Sequence, residues 1–165
     1  MVCVNQGESH AWVLVDEMHE RDQPANIITY NSLLDALFKY DHLDKAIALF
    51  KKIVDQGIQP DMLTYTIIID GLCKGGRLGI AHKVFQHLLI KGYHLRVHSY
   101  NVMIRGLCGK GLFGEAFSML SRMEYSGCIP NLITCEIIIR ALFHKDENNT
   151  AEKLFHEMIA KHNLQ

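Results

Sequence analysis

Apolar residues in the middle of the chain form two stripes with helical spacing. The first stripe follows the i, i+3, i+4, i+7 pattern of an amphipathic helix and consists of Tyr65, Ile68, Ile69 and Leu72. The second stripe has the same character and consists of Leu78, Ala81, Phe85 and Leu88. Gly75 and Gly76 lie between them, as suits a helix C-terminus, and Thr64 stands where a residue would cap the first helix. The pattern predicts two helices joined by a short turn.

The pair of stripes recurs along the chain with a period of 35 residues. Four columns keep this spacing in one register, namely Tyr30, Tyr65 and Tyr100 with Cys135 in the fourth place; Ala11, Ala46, Ala81, Ala116 and Ala151; Leu37, Leu72, Leu107 and Leu142; and Gly57, Gly92 and Gly127. The columns divide the chain into a partial repeat at 1–26 with a second helix only, complete repeats at 27–61, 62–96 and 97–131, and a final repeat at 132–165 that is one residue short.

A single helix pair of this size cannot bury both of its apolar stripes, so successive pairs must stack and share one core. The recurring alanine fits such a stack, because a small residue allows two helices to approach closely. We therefore expect an all-α fold, a solenoid of stacked helix-turn-helix repeats with a concave inner face. The period alone leaves the tetratricopeptide repeat, with about 34 residues per unit, as an alternative.

The overall charge is close to neutral. Seventeen lysines and arginines stand against 18 acidic residues, for a formal net charge of −1, whereas nucleic-acid-binding domains are usually basic. No apolar run approaches the roughly 20 residues that a membrane helix needs, so we expect no membrane association. The first seventeen residues contain three acidic side chains and show neither a secretory signal nor a transit peptide. Charge by itself argues mildly against RNA or DNA as a partner.

Histidines and cysteines are numerous enough to raise the question of a metal site. The closest histidine pairs are His82 with His87 and His94 with His98, and the spacing of neither pair is typical of a zinc site. Cys73 and Cys108 share their repeat position with Phe38 and Phe143, which indicates an apolar slot and not a ligand. The five cysteines are an odd number, so we expect free thiols in a reducing compartment. The sequence predicts no metal site and no cofactor.

The carboxylates and glycines also fail to form a catalytic motif. Asp35 and Asp70 occupy one repeat position and are replaced there by Arg105 and Arg140, so we interpret this column as scaffold. The glycine pairs that follow the first helices are helix breaks, because no strand precedes them as a phosphate-binding loop requires. We therefore expect no enzymatic activity.

Three longer stretches resemble a known family. The strings IITYNSLLDALFKYDHLDKAIALFKKIVDQGIQPD, MLTYTIIIDGLCKGGRLGIAHKVF and VHSYNVMIRGLCGKGLFGEAFSMLSRMEYSGCIPN resemble the pentatricopeptide repeat (PPR) family of the P-type, and especially the fertility-restorer-like group of plant organelle proteins. The resemblance implies a right-handed α-solenoid that binds single-stranded RNA, one repeat to one base. It also implies organelle RNA processing or stability as the function, in the mitochondrion or, alternatively, the chloroplast.

In that family each base is selected by the fifth residue of a repeat together with its last residue. The corresponding residues are Asn31 with Asp61, Thr66 with Arg96, Asn101 with Asn131, and Glu136 without a partner. The family's code then implies uracil for the first pair, a purine for Thr66, and cytosine or less well uracil for the third pair, in the 5′ to 3′ direction. Arg96 and Glu136 depart from the usual pattern. The alternative is that these polar residues simply begin a helix and face water.

The resemblance also implies residues that contact RNA outside the base edges. The second residue of each repeat lies between adjacent bases, and these residues are Ile28, Leu63, His98 and Ile133. A lysine at the thirteenth position contacts phosphate in the family; it is present as Lys39 and Lys74 and replaced by Gly109 and His144. With so few cations we expect only a shallow dependence of binding on salt.

A helical-repeat scaffold that binds a protein segment is the competing function, and a truncated relative with impaired RNA binding is its variant. Arg96, His98 and Glu136 favour this alternative, because they depart from the family's RNA-binding pattern. The apolar side of the partial repeat and the last repeat both lack a covering helix, so we also expect self-association through the ends of the array.

Overall fold

The computed structural model describes residues 26–162. Eight α-helices follow one another in this part of the chain, with no strand among its residues: α1 (Ile27–Lys39), α2 (Leu43–Asp55), α3 (Met62–Lys74), α4 (Leu78–Ile90), α5 (Val97–Gly109), α6 (Phe113–Tyr125), α7 (Leu132–His144) and α8 (Asn148–His162). The prediction of paired helices is therefore confirmed. The partial repeat predicted at 1–26 lies outside the described residues except for Asn26, so the expected self-association through that end of the array stays a prediction.

Odd-numbered helices begin at Ile27, Met62, Val97 and Leu132. These are the residues at which the four later repeats are predicted to begin, so each predicted repeat would hold one odd-numbered helix followed by one even-numbered helix. The repeat limits themselves stay a prediction, because helix positions alone do not define where one structural unit ends.

A residue with positive φ lies in the turn after each odd-numbered helix. Gly76 and Gly111 both have φ of 74° there, and Asp41 and Asp146 have φ of 62° and 60°. Two hydrogen bonds close the first of these turns, from the Asp41 N–H to the Phe38 carbonyl at 3.1 Å and from the His42 N–H to the Leu37 carbonyl at 2.8 Å. Glycine adopts this backbone conformation without steric cost, and aspartate tolerates it better than most residues.

The described residues form two compact units that divide after Gly71. In the first unit the ring of Tyr65 on α3 packs edge-on against Phe50 on α2, with centroids 6.0 Å apart. In the second unit Tyr100 on α5 packs against Phe85 on α4 in the same way, at 5.2 Å. The tyrosine column therefore joins the first helix of one repeat to the second helix of the repeat before it.

Tyrosine hydroxyls also tie the two helices of a single repeat together. Tyr30 donates a hydrogen bond to Oε1 of Gln56 at 3.0 Å, and the Tyr100 hydroxyl is 2.9 Å from Oγ of Ser126. Gln56 and Ser126 are the C-caps of α2 and α6. Each of these tyrosines thus fixes the start of one helix against the end of its partner.

Small residues mark the closest approaches between helices. The alanines of the repeating column are fully buried where they are described: Ala46, Ala81, Ala116 and Ala151. In the first unit Gly71 on α3 faces the ring of Phe38 on α1, and a Cβ built on Gly71 would collide with that ring. In the second unit a Cβ on Gly106 would lie 2.6 Å from Sγ of Cys73. Neither position has room for a larger side chain without rearrangement.

Candidate nucleic-acid interface

The residues predicted to end each repeat are N-caps of the helix that follows. Oδ1 of Asp61 accepts from the Thr64 N–H at 2.7 Å and from the Thr64 hydroxyl at 2.8 Å. Oδ1 of Asn131 accepts from the Thr134 N–H at 3.0 Å and from its hydroxyl at 3.1 Å. Asn26 caps α1 through Thr29 at 3.0 Å in the same way. The prediction that Thr64 caps α3 is wrong, because Thr64 lies inside the helix and completes a capping box with Asp61.

These caps use only one terminal atom of each side chain. The hydrogen bonds to Asp61 from Thr64 and Asn31 all end on Oδ1, and the Nδ2 amide of Asn131 takes no part in its cap. Both residues are exposed. The cap therefore fixes the side chain in one orientation and leaves its second polar atom outside the bonds to threonine.

Asp61 is held in its charged form. Partial burial would raise the pKa of Asp61, but hydrogen bonds from the Thr64 backbone, the Thr64 side chain, Asn31 and the Leu63 backbone outweigh it, so the pKa lies below its ordinary value of 3.8. At neutral pH the carboxylate can accept hydrogen bonds but cannot donate them, whereas the Nδ2 amide of Asn131 is a donor. The two positions consequently offer opposite hydrogen-bonding character.

Three of the four predicted fifth residues are buried, and the fourth, Glu136, is exposed. Asn31, Thr66 and Asn101 are only 4%, 6% and 3% exposed, so the alternative that these residues face water is wrong for all three. Nδ2 of Asn31 donates to Oδ1 of Asp61 at 3.2 Å, and the Thr66 hydroxyl donates to the Met62 carbonyl at 2.7 Å. The structure therefore brings the first predicted pair, Asn31 and Asp61, into direct contact.

Two buried amides keep an unsatisfied acceptor. Oδ1 of Asn31 and Oδ1 of Asn101 are inaccessible and have no hydrogen-bond partner. Such an acceptor costs about 1–3 kcal/mol in a folded protein, and a group of this kind calls for a specific explanation. Both lie in the repeats for which the resemblance gives the clearest base choice.

The two residues that depart from the family's pattern also differ in structure. Arg96 is the N-cap of α5 but makes no side-chain cap hydrogen bond. Glu136 is exposed and forms an ion pair with Arg140, one turn further along α7. Thr66 and Arg96 belong to different compact units, so this predicted pair is described only residue by residue. Neither Arg96 nor Glu136 reproduces the anchored side chain seen at Asp61 and Asn131.

The predicted base-stacking residues are exposed at the starts of the odd-numbered helices. Ile28 is 71% exposed, Leu63 55% and Ile133 54%, and His98 is exposed as well. Large aliphatic side chains at such exposure offer flat apolar contact area. The predicted phosphate ligands Lys39 and Lys74 are exposed in the last turns of α1 and α3.

The described cysteines, Cys73, Cys108, Cys128 and Cys135, form no disulfide with one another. Burial raises the pKa of Cys108 to about 11 and also raises the pKa of Cys128, so neither is activated as a nucleophile. Residues 26–162 contain no grouping of three histidine, cysteine or acidic side chains that would hold a metal ion. Within the same range, every helix is too short or too polar to cross a membrane.

Comparison with known proteins identifies the class of this fold. The PPR repeat family matches residues 25–74 and 95–144, and the single PPR repeat matches residues 63–93 and 133–162. Because these matches extend over more than half of its length, the chain belongs to the PPR repeat family. No curated protein sequence gives a significant match.

Solved structures confirm the predicted fold class. The pentatricopeptide repeat protein PPR10 from maize is 20% identical with a TM-score of 0.69, over 93% of this chain and 27% of that chain. PPR10 in complex with an 18-nt psaJ RNA element is 23% identical with a TM-score of 0.77, over 93% of this chain and 23% of that chain. The PPR domain of Arabidopsis thaliana protein-only RNase P 1, in complex with tRNA, is 18% identical with a TM-score of 0.68, over 90% of this chain and 78% of that chain. The chain thus spans about a quarter of the length of PPR10.

The capping role of the last residues was missed at the sequence level, although the signal was present. Asn26, Asp61 and Asn131 are each followed by a threonine three residues later, which is the spacing of a capping box. At the fourth position of this column Arg96 is followed by Ser99, and the side-chain cap is absent.

Proposed function

We propose that the chain binds single-stranded RNA through one repeat per base. The observation that carries this proposal is the pair of anchored caps, Asp61 and Asn131, each with one polar atom outside the cap. Exposed aliphatic residues follow two positions later, at Leu63 and Ile133. Unpaired bases are recognised by such an arrangement, in which a polar atom bonds to the base edge and an apolar surface beside it contacts the base face.

The chemistry at the two caps supports different bases. Uracil presents the N3–H donor on its Watson–Crick edge, and the charged Asp61 is an acceptor. Cytosine presents N3 as an acceptor, and Nδ2 of Asn131 is a donor. One good base contact contributes roughly 1–3 kcal/mol of discrimination. We therefore assign uracil to the repeat of Asn31 and Asp61, and cytosine, or less well uracil, to the repeat of Asn101 and Asn131.

The repeat between them receives a weaker assignment. Thr66 supports a purine in the family's code, but the Thr66 hydroxyl already bonds to the Met62 carbonyl and Arg96 has no anchored side chain. The proposed target is accordingly uracil, purine, pyrimidine in the 5′ to 3′ direction. At neutral net charge we expect binding to depend on base contacts and stacking more than on phosphate contacts.

Titration of the purified chain with short RNAs tests this proposal. A fluorescein-labelled 12-nucleotide RNA with a central U-A-C would be compared, by fluorescence anisotropy, with the same composition in scrambled order and with the matching DNA. We expect the U-A-C RNA to bind about tenfold more tightly than the scrambled RNA. Equal affinity for both RNAs would contradict selective recognition, and no binding to either would contradict RNA binding.

Organelle RNA processing or stability, in the mitochondrion or else the chloroplast, is the cellular role that we propose on the basis of the family. PPR repeats are typically non-catalytic, and we propose that this chain has no enzymatic activity. Localisation of a tagged, full-length gene product by microscopy and organelle fractionation would test the compartment. Recovery only in the cytosol would contradict it.

Binding of a protein segment is a second candidate, favoured by one specific observation. At the fifth position of the last repeat, the Glu136 carboxylate is already paired with Arg140. A carboxylate that is paired in this way is unsuited to contacting a base edge. If the RNA titration fails, a pull-down with the purified chain distinguishes this scaffold function from an inactive relative.

A further inference from the structure

A cleft of about 760 Å³ lies along α5 and α7, within the second compact unit. Its lining includes Arg105 from α5 and Glu136, Arg140 and His144 from α7. Ile133, one of the predicted base-stacking residues, is part of the same lining. We call this feature the arginine cleft. It adjoins the proposed base-contacting surface but contains two cations to which the proposed function assigns no role.

The two arginines stand at the same repeat position, the ninth. In the two preceding repeats that position is Asp35 and Asp70, so the column changes sign between the two halves of the chain. Arg105 and Arg140 are exposed and line one cleft, so an anion that enters the cleft is attracted by both. The interpretation of this column as scaffold therefore does not account for the second half.

The cation at the thirteenth position is missing where the arginines appear. Gly109 and His144 stand in place of Lys39 and Lys74, and both line the cleft. Each lies four residues after an arginine, on the same face of its helix. A Cβ built on Gly109 would meet no atom within 4 Å, so the side chain absent there leaves open space one turn from Arg105.

We propose that the arginine cleft binds a backbone phosphate of the RNA between Arg105 and Arg140. This inference rests on the proposed RNA-binding function and adds a site to it. The planar guanidinium group binds phosphate oxygens through two parallel hydrogen bonds. Glu136 occupies Arg140 in the free protein, and the incoming phosphate displaces it. Glu136 at the fifth position is then a placeholder for phosphate and not a base-reading residue.

Charge-removing variants in and outside the cleft provide the test. Arg105→Gln and Arg140→Gln would be compared with Arg122→Gln, which removes the same charge from α6, in the repeat that contains Arg105, where Arg122 is exposed. The probe is the 12-nucleotide U-A-C RNA, titrated from 50 to 300 mM KCl. We expect each cleft variant to weaken binding about two- to fivefold. Each should also reduce the slope of log affinity against log salt by about 1, for U-A-C and scrambled RNA alike, whereas Arg122→Gln should change neither quantity.

Glu136→Gln gives the opposite expectation. Without the competing carboxylate, binding to both RNAs should tighten about twofold, and weaker binding would overturn the placeholder role. If the cleft variants keep the affinity and salt slope of Arg122→Gln while the unaltered chain binds RNA, the phosphate site is overturned and the proposed function stands. If the unaltered chain binds no RNA at any salt concentration, both are overturned. Methylphosphonate substitution of single RNA linkages identifies which phosphate binds in the cleft. One neutral linkage should lower the affinity as much as the cleft variants do, and with that RNA Arg105→Gln should cause no further loss of affinity.

Discussion

Nδ2 of Asn31 donates a hydrogen bond to Oδ1 of Asp61 at 3.2 Å, which joins the beginning of one predicted repeat to its end. The same oxygen accepts two hydrogen bonds from Thr64 and so caps α3. The position of Asp61 is thus set from both sides, by the helix before it and by the helix after it. A side chain fixed in this way loses little conformational entropy when it binds a base.

Exchanging the two cap residues should exchange their base preferences. Asp61→Asn replaces an acceptor with a donor, so the preferred base at that position should change from uracil to cytosine, by about tenfold. Asn131→Asp should produce the reverse change at its own position. Both replacements are good caps, so the free energy of unfolding should change little. Anisotropy titrations against RNAs that differ at one position measure the preference.

The neighbouring positions serve as internal controls for this exchange. Asp61→Asn should leave the preference at the position read by Asn131 unaltered, and the reverse should hold for Asn131→Asp. An unchanged preference in both variants would show that the register of the repeats is misassigned.

Asp61 should also make stability depend on pH on the acid side. Because its pKa in the folded chain is lower than the ordinary value of 3.8, its contribution is fully present above that value and is lost as pH falls through the lower folded pKa. Asp61→Asn has no such group. Urea unfolding at a series of pH values from 7 to 2.5 should show the free energy of unfolding of the unaltered chain falling relative to that of Asp61→Asn below about pH 4. A constant difference across the series would contradict the lowered pKa.

A methyl group added at Gly71 should destabilise the fold. Gly71→Ala places a Cβ against the ring of Phe38, and overpacking of this kind costs typically about 1–3 kcal/mol. Gly79→Ala on α4 is the matched control, because a Cβ there meets nothing within 4 Å and alanine favours the helix. Thermal unfolding followed by circular dichroism should give a lower Tm for the first variant and an equal or higher Tm for the second. Rescue of Gly71→Ala by Phe38→Leu would confirm that the ring is the obstacle.

Restoring a cation at the thirteenth position should strengthen RNA binding. Gly109→Lys has room for the new side chain, and we expect an affinity gain of about two- to fivefold with a salt slope steeper by about 1. Gly114→Lys adds the same charge on α6, where a Cβ is equally unobstructed, and should have no comparable effect. Equal gains in both variants would indicate attraction by net charge alone.

The sequence predicted the helices well because their boundaries depend on local features. Gly76 ends α3 through its own backbone conformation, and the tyrosine and alanine columns mark buried faces that recur at a fixed spacing. The turn residues and buried columns involve contacts within one repeat or between adjacent repeats. The 35-residue period of the sequence is therefore enough to identify them. The predicted fold class follows directly from such short-range rules.

The candidate site was less predictable because it depends on burial. Asn31 and Asn101 are polar residues that the sequence could place only at the start of a helix, yet they are buried with unsatisfied acceptors. Arg105 and Arg140 become candidates for a binding site only because they line the same cleft. They are 35 residues apart in sequence, and no local pattern distinguishes a solvated arginine from one that faces a cleft.

The N-cap role of the last residue constrains how such a protein can evolve new targets. If Asp61 and Asn131 read bases as proposed, a substitution that changes the base must also keep the next helix capped, and only a few short polar residues do so. Under the proposed function, base choice and helix capping therefore depend on the same residue. Arg96 differs in this respect: its helix forms without a side-chain cap, so a substitution there removes no capping hydrogen bond.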